Sequence, residues 1–509
     1  MRHMRLRKNI IANYLGQGWT ALMQLAFIPL YIKYLGMESY GLIGIFAILQ
    51  AGLILLDLGM TPTINREMAR FSAGAHTPHS IRELLHSLEL LCFFLALAIS
   101  GCVWLASSWF AQNWLRSEEL PPDIVRTAIS IMGIVAAFRF VESIYRGALF
   151  GLQTQVWLNA VNATMATVRG LGAVGVLAWV SPTIEAFFVW QACLSLVSMV
   201  VLARRVHCAL PAVEEPIRFS AGALSGVWNF ARGMIATTFL SLLLTQVDKI
   251  LLSRILNLEE FGSYMLAATV ASALSIIISP LAQSYYPRFI ELLTRNDEPA
   301  LIVAYHQASQ LMAVMLVPAA MILIFHGEKV LYLWTGNAAL AHQSSTLISL
   351  LTLGTTFLGL MNIPYMLQLA YGWSTFAAKV NAIIVVILVP VLFWVTPRYG
   401  AIGAAWVWVA VTSSYIFLVI PMMHQRLLPK EIWAWYWQDN GLPAVAAACV
   451  ALAGVWIQPT AVSKLEHLAW LIAITLVSFL AAFLSAPIFN GILLRRVKAK
   501  LFGSNPIEK

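Results

Sequence analysis

Five cations stand inside long apolar runs of this sequence, where residues of their kind are costly. Arg139, Glu142 and Arg146 in "RFVESIYR" are spaced i, i+3 and i+7, which places them on one face of a helix. Arg169 lies in "VRGLGAVG", Arg232 in "NFARGMI", and Lys379 near the start of another run. An arginine deep in hydrocarbon costs at least about 2.5 to 3.5 kcal/mol on insertion scales, so each needs a counter-charge or water. Glu142 can neutralise Arg139 or Arg146, and Lys379 is near enough to its run's end for its stem to reach water. Arg139, Arg146, Arg169 and Arg232 nonetheless face only Glu142 at comparable depth. The excess fits a wet cavity that receives an anion, and the forked guanidinium suits phosphate oxygens. Asp57, Asp248 and Glu142 are the gate or coupling-ion candidates. Asp57 and Asp248 are equally readable as helix-end residues, with Asp248 paired to Lys249.

The elements that carry these residues are membrane helices. The chain has 509 residues, 60% of them hydrophobic and 11% charged, about half the charge of a soluble domain, with a mean hydropathy of +0.78. Apolar stretches near or above the roughly 20 residues that cross a bilayer fall at 10–32, 40–60, 88–110, 124–152, 156–180, 183–203, 222–253, 261–287, 305–326, 344–369, 374–396, 401–421, 441–457 and 467–489. The expected class is an all-α integral membrane protein of about fourteen spans. The first apolar run is too long for a signal peptide and lacks a small-residue cleavage site, so it is expected to be retained.

Lys and Arg recur in alternate connections. They include Arg2, Arg5, Arg7 and Lys8; Arg66, Arg70 and Arg82; Arg204 and Arg205; Arg288 and Arg295; Arg426 and Lys430; and a basic tail. Positive charge is retained on the cytoplasmic side, so both termini are expected there. The net charge of +9 follows from this asymmetry and does not imply nucleic acid.

"LGMESYGLIGIF" (Leu35 to Phe46) aligns with "LNLEEFGSYMLA" (Leu256 to Ala267), matching Glu38 to Glu259, Tyr40 to Phe261 and Gly41 to Gly262. Two similar turns, each with an acidic helix start and an interfacial aromatic, would look the same. Read as a repeat, the pair is six spans apart, and an even number gives both copies the same sense. That predicts two parallel six-helix lobes about an axis along the membrane normal, with the substrate path between them. The expected lobes are 1–208 and 209–430, with 431–509 adding two helices and the tail. Pro29, Pro280, Pro318, Pro364 and Pro390 permit bends inside spans.

Other chemistry is weakly represented. Gly170, Gly172 and Gly175 keep the G-x-G-x-x-G spacing, but no strand precedes them, so a nucleotide site is not expected. Gly172 and Gly175 are expected to admit a neighbouring helix. The five cysteines form no C-x-x-C pair. There is no H-E-x-x-H motif, P-loop or Cys/His ligand spacing, and His86 and His306 read as isolated interfacial residues. The longest non-spanning stretches, near 61–87 and 422–440, fall on the cytoplasmic side, so the chain is not expected to be an enzyme.

"NYLGQGWTALMQLAFIPLYIKYLGMESYGL", "LLDLGMTPTINREMAR", "YRGALFGLQ" and "QVDKILLSRILNLEEFGSY" resemble the lipid-linked oligosaccharide flippases of bacterial polysaccharide synthesis, the Wzx-type branch of the MATE-like superfamily. The resemblance implies an inner-membrane protein whose two lobes form a V around a cationic lumen. It implies alternating access that moves an undecaprenyl-diphosphate-linked glycan to the periplasmic leaflet, with a proton or sodium ion as candidate coupling ion and no cofactor. Implied partners are the lipid-linked oligosaccharide, membrane lipids, and the polysaccharide polymerase and chain-length machinery. The related lipid II flippases share fourteen helices and a cationic cavity. Cation-coupled multidrug exporters usually have twelve helices and acidic cavities, whereas carboxylates are scarce here.

Overall fold

The computed structural model describes residues 15–57, 59–72, 74–213, 216–457 and 463–488, with the side chains of 221–237 outside the description. The described residues are nearly all helical. In chain order the helices are α1 (15–26), α2 (Ile28–Leu56), α3 (Met60–Ser72), α4 (Pro78–Trp109), α5 (Pro122–Gly151), α6 (Gln155–Trp179), α7 (Ile184–Ala209), α8 (Ala221–Ile255), α9 (Leu258–Ser272), α10 (Ser275–Thr294), α11 (Glu298–Thr335), α12 (Ala338–Ala370), α13 (Ser374–Ser414), α14 (Ile420–Leu427), α15 (Leu442–Trp456) and α16 (Lys464–Ser485). π-Helical turns at Phe110–Trp114, Tyr415–Val419 and Ala434–Gly441 extend or join them.

Among the described residues, eleven helical runs are long and apolar enough to cross a membrane. One of them, Ser374–Leu427, has 54 residues, which at 1.5 Å per residue is far longer than a bilayer's ~30 Å core. It is broken at Gly400, whose φ of +56° leaves the helical region, and counts as two spans. α2 is broken likewise at Gly36, φ +79°, so α1 and the first part of α2 make a span separate from the rest of α2. Adding that span, the second half of Ser374–Leu427 and α8 brings the eleven to the fourteen expected.

Helix starts follow local sequence. Thr77 accepts a hydrogen bond from the Ser80 N–H ahead of α4, Asn337 from Leu340 ahead of α12, and Ser463 with Glu466 closes a reciprocal box at α16. Each satisfies donors that a helix end leaves unpaired. The departures from helical geometry inside continuous helices fall at Gly36, His326 and Gly400, the two glycines marking joints between spans. None falls at the five prolines singled out in the sequence; Pro29 sits in the first turn of α2, where its missing N–H has no partner to lose.

The chain divides into two compact units, Met1–Met265 and Leu266–Lys509. In the first, α5 is the central helix, packed against α3, α4 and α7. Its buried face includes Ala136, Phe140, Ile144 and Ala148, which join Met60, Ile64, Leu85 and Leu202 in one apolar cluster. In the second, α11 is central, packed against α10, α12, α15 and α16. Met312, Leu316 and Ala320 of α11 meet Ile363 and Leu367 of α12.

Two expectations are corrected. Gly175 has only Trp179 of its own helix at ordinary distance, whereas a Cβ at Gly170 would press into the Phe27 ring and one at Gly172 into the Trp190 indole. The close approach therefore uses the first two glycines of the motif. His306 is not isolated: its Nδ1 lies 2.5 Å from Asp439 Oδ2 and its Nε2 3.0 Å from Glu431 Oε2.

Candidate functional site

α5 and α6 bring three of the predicted cations together in the first unit. The i, i+4 spacing of Glu142 and Arg146 on α5 places a guanidinium nitrogen 2.5 Å from the carboxylate. Glu142 is 5% exposed and Arg146 44%, so the carboxylate is buried and its partner reaches outward. Arg139, one turn before Glu142, takes a different environment. Its Nε lies 3.5 Å from Ser195 Oγ and its terminal nitrogen 3.4 Å from Gln191 Oε1, both long for hydrogen bonds. Its guanidinium also stands 5.1 Å from the centre of the Phe46 ring.

Arg169 comes from α6, which runs unbroken through the glycine motif. Its Nε is buried with no hydrogen-bond partner among the described residues. Its carbonyl accepts a bond from Trp190 Nε1 at 3.2 Å, which ties α6 to α7 just where Gly172 admits that indole. Arg139, Glu142, Arg146 and Arg169 lie within electrostatic reach of one another.

Among the described residues, only Arg146 has a carboxylate at ion-pair distance in this group. Three cations against one anion leave two positive charges uncompensated. Neutral amide and hydroxyl oxygens at 3.4–3.5 Å do little to replace the water a guanidinium loses. An anion with several oxygens and two negative charges would match both the charge and the vacant donors.

The remaining predicted residues lie elsewhere. Arg232 is on α8, and its side chain is outside the described residues. Lys379 is in the second unit, exposed near the start of α13. Asp57 follows α2 and accepts from the Thr61 N–H at 3.2 Å and the Thr61 hydroxyl at 2.6 Å, so it caps the first turn of α3. Asp248 accepts from the Tyr264 hydroxyl at 2.5 Å and lies 3.4 Å from Lys249 Nζ, the pairing expected from sequence.

Sequence reasoning did not find Ser195, Gln191 and Phe46 as the surroundings of Arg139, because neither residue type nor spacing marks them. It also missed the network on α3. There Glu67 holds Arg66, Arg70 and His76 at 2.7, 3.0 and 2.6 Å. Burial raises the Glu67 carboxyl, but its hydrogen bonds to His76 and Arg66 and the charge of Arg70 outweigh this and bring it below its usual range.

A model of the polysaccharide biosynthesis protein family matches residues 6–293, more than half of the chain. The chain belongs to that family. A Shigella flexneri protein described as a candidate O-antigen transporter is 21% identical to this polysaccharide biosynthesis protein over 415 residues, covering 80% of this chain and 94% of its own length. Among solved structures, a lipid II flippase in an inward closed conformation superposes with a TM-score of 0.70 at 13% identity, covering 96% of this chain and 98% of its own. A MATE multidrug transporter gives 0.59 at 12% identity, covering 83% and 95%. The fold of this family member is therefore the one these membrane proteins share.

Proposed function

We propose that this protein is a flippase that moves an undecaprenyl-diphosphate-linked oligosaccharide across the bacterial cytoplasmic membrane for O-antigen, capsule or exopolysaccharide synthesis. The observation that carries the reading is the pair of half-buried arginines, Arg139 and Arg169, with no carboxylate at ion-pair distance among the described residues, beside a third arginine that already holds Glu142. A diphosphate supplies the missing charge. The family match and the relative described as a candidate O-antigen transporter support the same substrate class.

In this mechanism the diphosphate enters a cavity open to the cytoplasm and takes the guanidinium donors of Arg139 and Arg169, which replace its lost water. Arg146, Arg232 and Lys379 add positive charge along the path. The glycan travels with the diphosphate, and the polyprenyl tail stays in lipid, so it never crosses a polar barrier. Rearrangement of two six-helix lobes, 1–208 and 209–430, then exposes the site to the other face, with 431–509 as an addition. Glu142, Asp57 and Asp248 are the acidic residues available to a proton or sodium ion, and both termini are cytoplasmic. The product feeds the polysaccharide polymerase and chain-length machinery. No bond of the substrate is made or broken.

A drug exporter would need carboxylates where Arg139 and Arg169 stand. The lipid II flippase likeness keeps a peptidoglycan precursor as a second substrate, because the diphosphate chemistry is common to both. Purified protein in vesicles decides among the three when offered a polyprenyl-diphosphate-linked oligosaccharide, lipid II and a cationic dye. The account predicts movement of the first, dependent on Arg139 and Arg169. Movement of dye alone contradicts it, and movement of lipid II alone changes the glycan but keeps the site.

A further inference from the structure

Between Glu185 and Arg204, α7 carries no charged residue, yet it packs against both α5 and α6 and touches both unpaired arginines. Phe188, Gln191 and Ser195 are spaced i, i+3 and i+7 and so share one face of α7. Phe188 and Ser195 are fully buried, and Gln191 is 4% exposed. The other buried residues of this stretch include Phe187, Leu194 and Leu202. An amide and a hydroxyl buried in such a face are costly unless they bond. Both turn an oxygen to the same group, the guanidinium of Arg139.

The two contacts use one edge of that group. Ser195 Oγ accepts from Nε and Gln191 Oε1 from Nη2, and these nitrogens lie on the same side of the planar fork. The Phe46 ring stands against the guanidinium face. That ring is itself set edge-on against Phe188, with centroids 5.5 Å apart. The remaining edge, Nη1 with the outer hydrogen of Nη2, has no partner among the described residues. Arg169 is fixed by another route. Trp190, beside Gln191, donates to the Arg169 carbonyl, and its indole fills the space that Gly172 leaves. This anchors the turn that carries the side chain and leaves its Nε without a partner among the described residues. Residues 188–195 of α7 therefore set both arginines. Glu142 shows the alternative: a carboxylate takes Arg146 at 2.5 Å and cancels its charge. The neutral oxygens of Gln191 and Ser195, at 3.4 and 3.5 Å, direct Arg139 without cancelling it.

We propose that Gln191 and Ser195 are positioning residues, an uncharged clamp that turns the free edge of Arg139 toward the substrate's phosphates while Trp190 fixes Arg169 beside it, so that a diphosphate bridges the two. The ligand rests on the flippase reading; the hold on Arg139 does not. Neutrality is the property that matters. Gln191→Glu keeps the shape of the side chain and replaces the amide with a carboxylate. It should pair Arg139 as Glu142 pairs Arg146, and so close the site to an anion. If Gln191 only fills space, the same change leaves anion binding as it was.

The test is calorimetric binding of geranylgeranyl diphosphate to the full chain in detergent, with the melting temperature taken on the same samples. Gln191→Glu should weaken binding about tenfold or more without lowering the melting temperature. Gln191→Met, which removes the oxygen and adds no charge, should weaken it about fivefold. In an Arg139→Ala background Gln191→Met should have no further effect, because its action passes through Arg139. Wild-type affinity in Gln191→Glu, or equal weakening by Gln191→Met with and without Arg139, overturns the clamp. A second readout needs no ligand: phenylglyoxal should modify Arg139 more slowly in Gln191→Glu than in wild type, followed by mass spectrometry of its peptide. Equal rates overturn the hold on Arg139. Slower modification in a protein whose wild type binds no diphosphate supports the hold and removes only the flippase reading.

Discussion

The two units bury charge in opposite ways. Among the described residues, Arg139 on α5 of the first unit has only long bonds to neutral oxygens, and Arg169 on α6 has a buried Nε with no partner. In the second unit, His306 is held between Asp439 and Glu431, and Gln310 donates to the other Asp439 oxygen at 2.9 Å. The Gln310 carbonyl in turn accepts the Ile488 N–H at 3.1 Å, beyond the end of α16. That network is complete and joins α11 to the segment around α15 and α16. A satisfied buried network fixes a fold, whereas an unsatisfied one stores a demand for a ligand. The first unit is therefore read as the binding unit, and the second unit's cluster as a fastening.

The sharpest way to break this contrast is to exchange the readouts. Arg139→Ala combined with Arg169→Ala should lower transport by about a thousandfold, since two charge-assisted hydrogen-bonding groups are worth roughly 1.5 to 3 kcal/mol each. Membrane insertion and thermal unfolding in detergent should change little, because no paired carboxylate is orphaned. His306→Ala should do the reverse. It leaves Asp439, 1% exposed, without its imidazole and should cost about 3 kcal/mol of stability, read as a lower melting temperature. Transport per folded molecule should stay within about twofold of wild type. A stable His306→Ala protein without transport would move the functional site to the second unit.

Smaller effects sharpen the picture. Asp57→Ala removes the cap on α3 and should cost about 1 kcal/mol in thermal unfolding, with transport retained if capping is its role. A transport defect larger than the stability loss would restore Asp57 as a gate. Glu67 supplies a pH dependence. Its folded pKa lies below the ordinary value of 4.5, so its contribution is fully present above that value and is lost as pH falls through the folded one. Glu67→Gln should lower the melting temperature at pH 7 by an amount worth under about 1 kcal/mol, and the difference should vanish well below pH 4.

The spans and the arginine excess were legible in the sequence because both are local signals: apolar length and a charge that apolar length makes costly. Gly36 and Gly400 could be placed between spans because the runs on either side were each long enough to cross. Helix periodicity put Glu142 within reach of Arg139 or Arg146, and the structure pairs it with Arg146. His306 and Asp439 are 133 residues apart, and each stands near an expected helix end, where an unpaired polar residue needs no explanation. Ser195 and Gln191 are ordinary residues in a span, and only the packing of α7 on α5 gives them a role.

The most direct measurement is the affinity of purified wild type and of Arg169→Ala for a polyprenyl diphosphate without its glycan, in detergent at fixed salt. Saturable binding by wild type, weakened about tenfold or more in the variant and competed by inorganic diphosphate, is the result the account predicts. Equal binding by both proteins would contradict it and make the arginines of α5 and α6 structural.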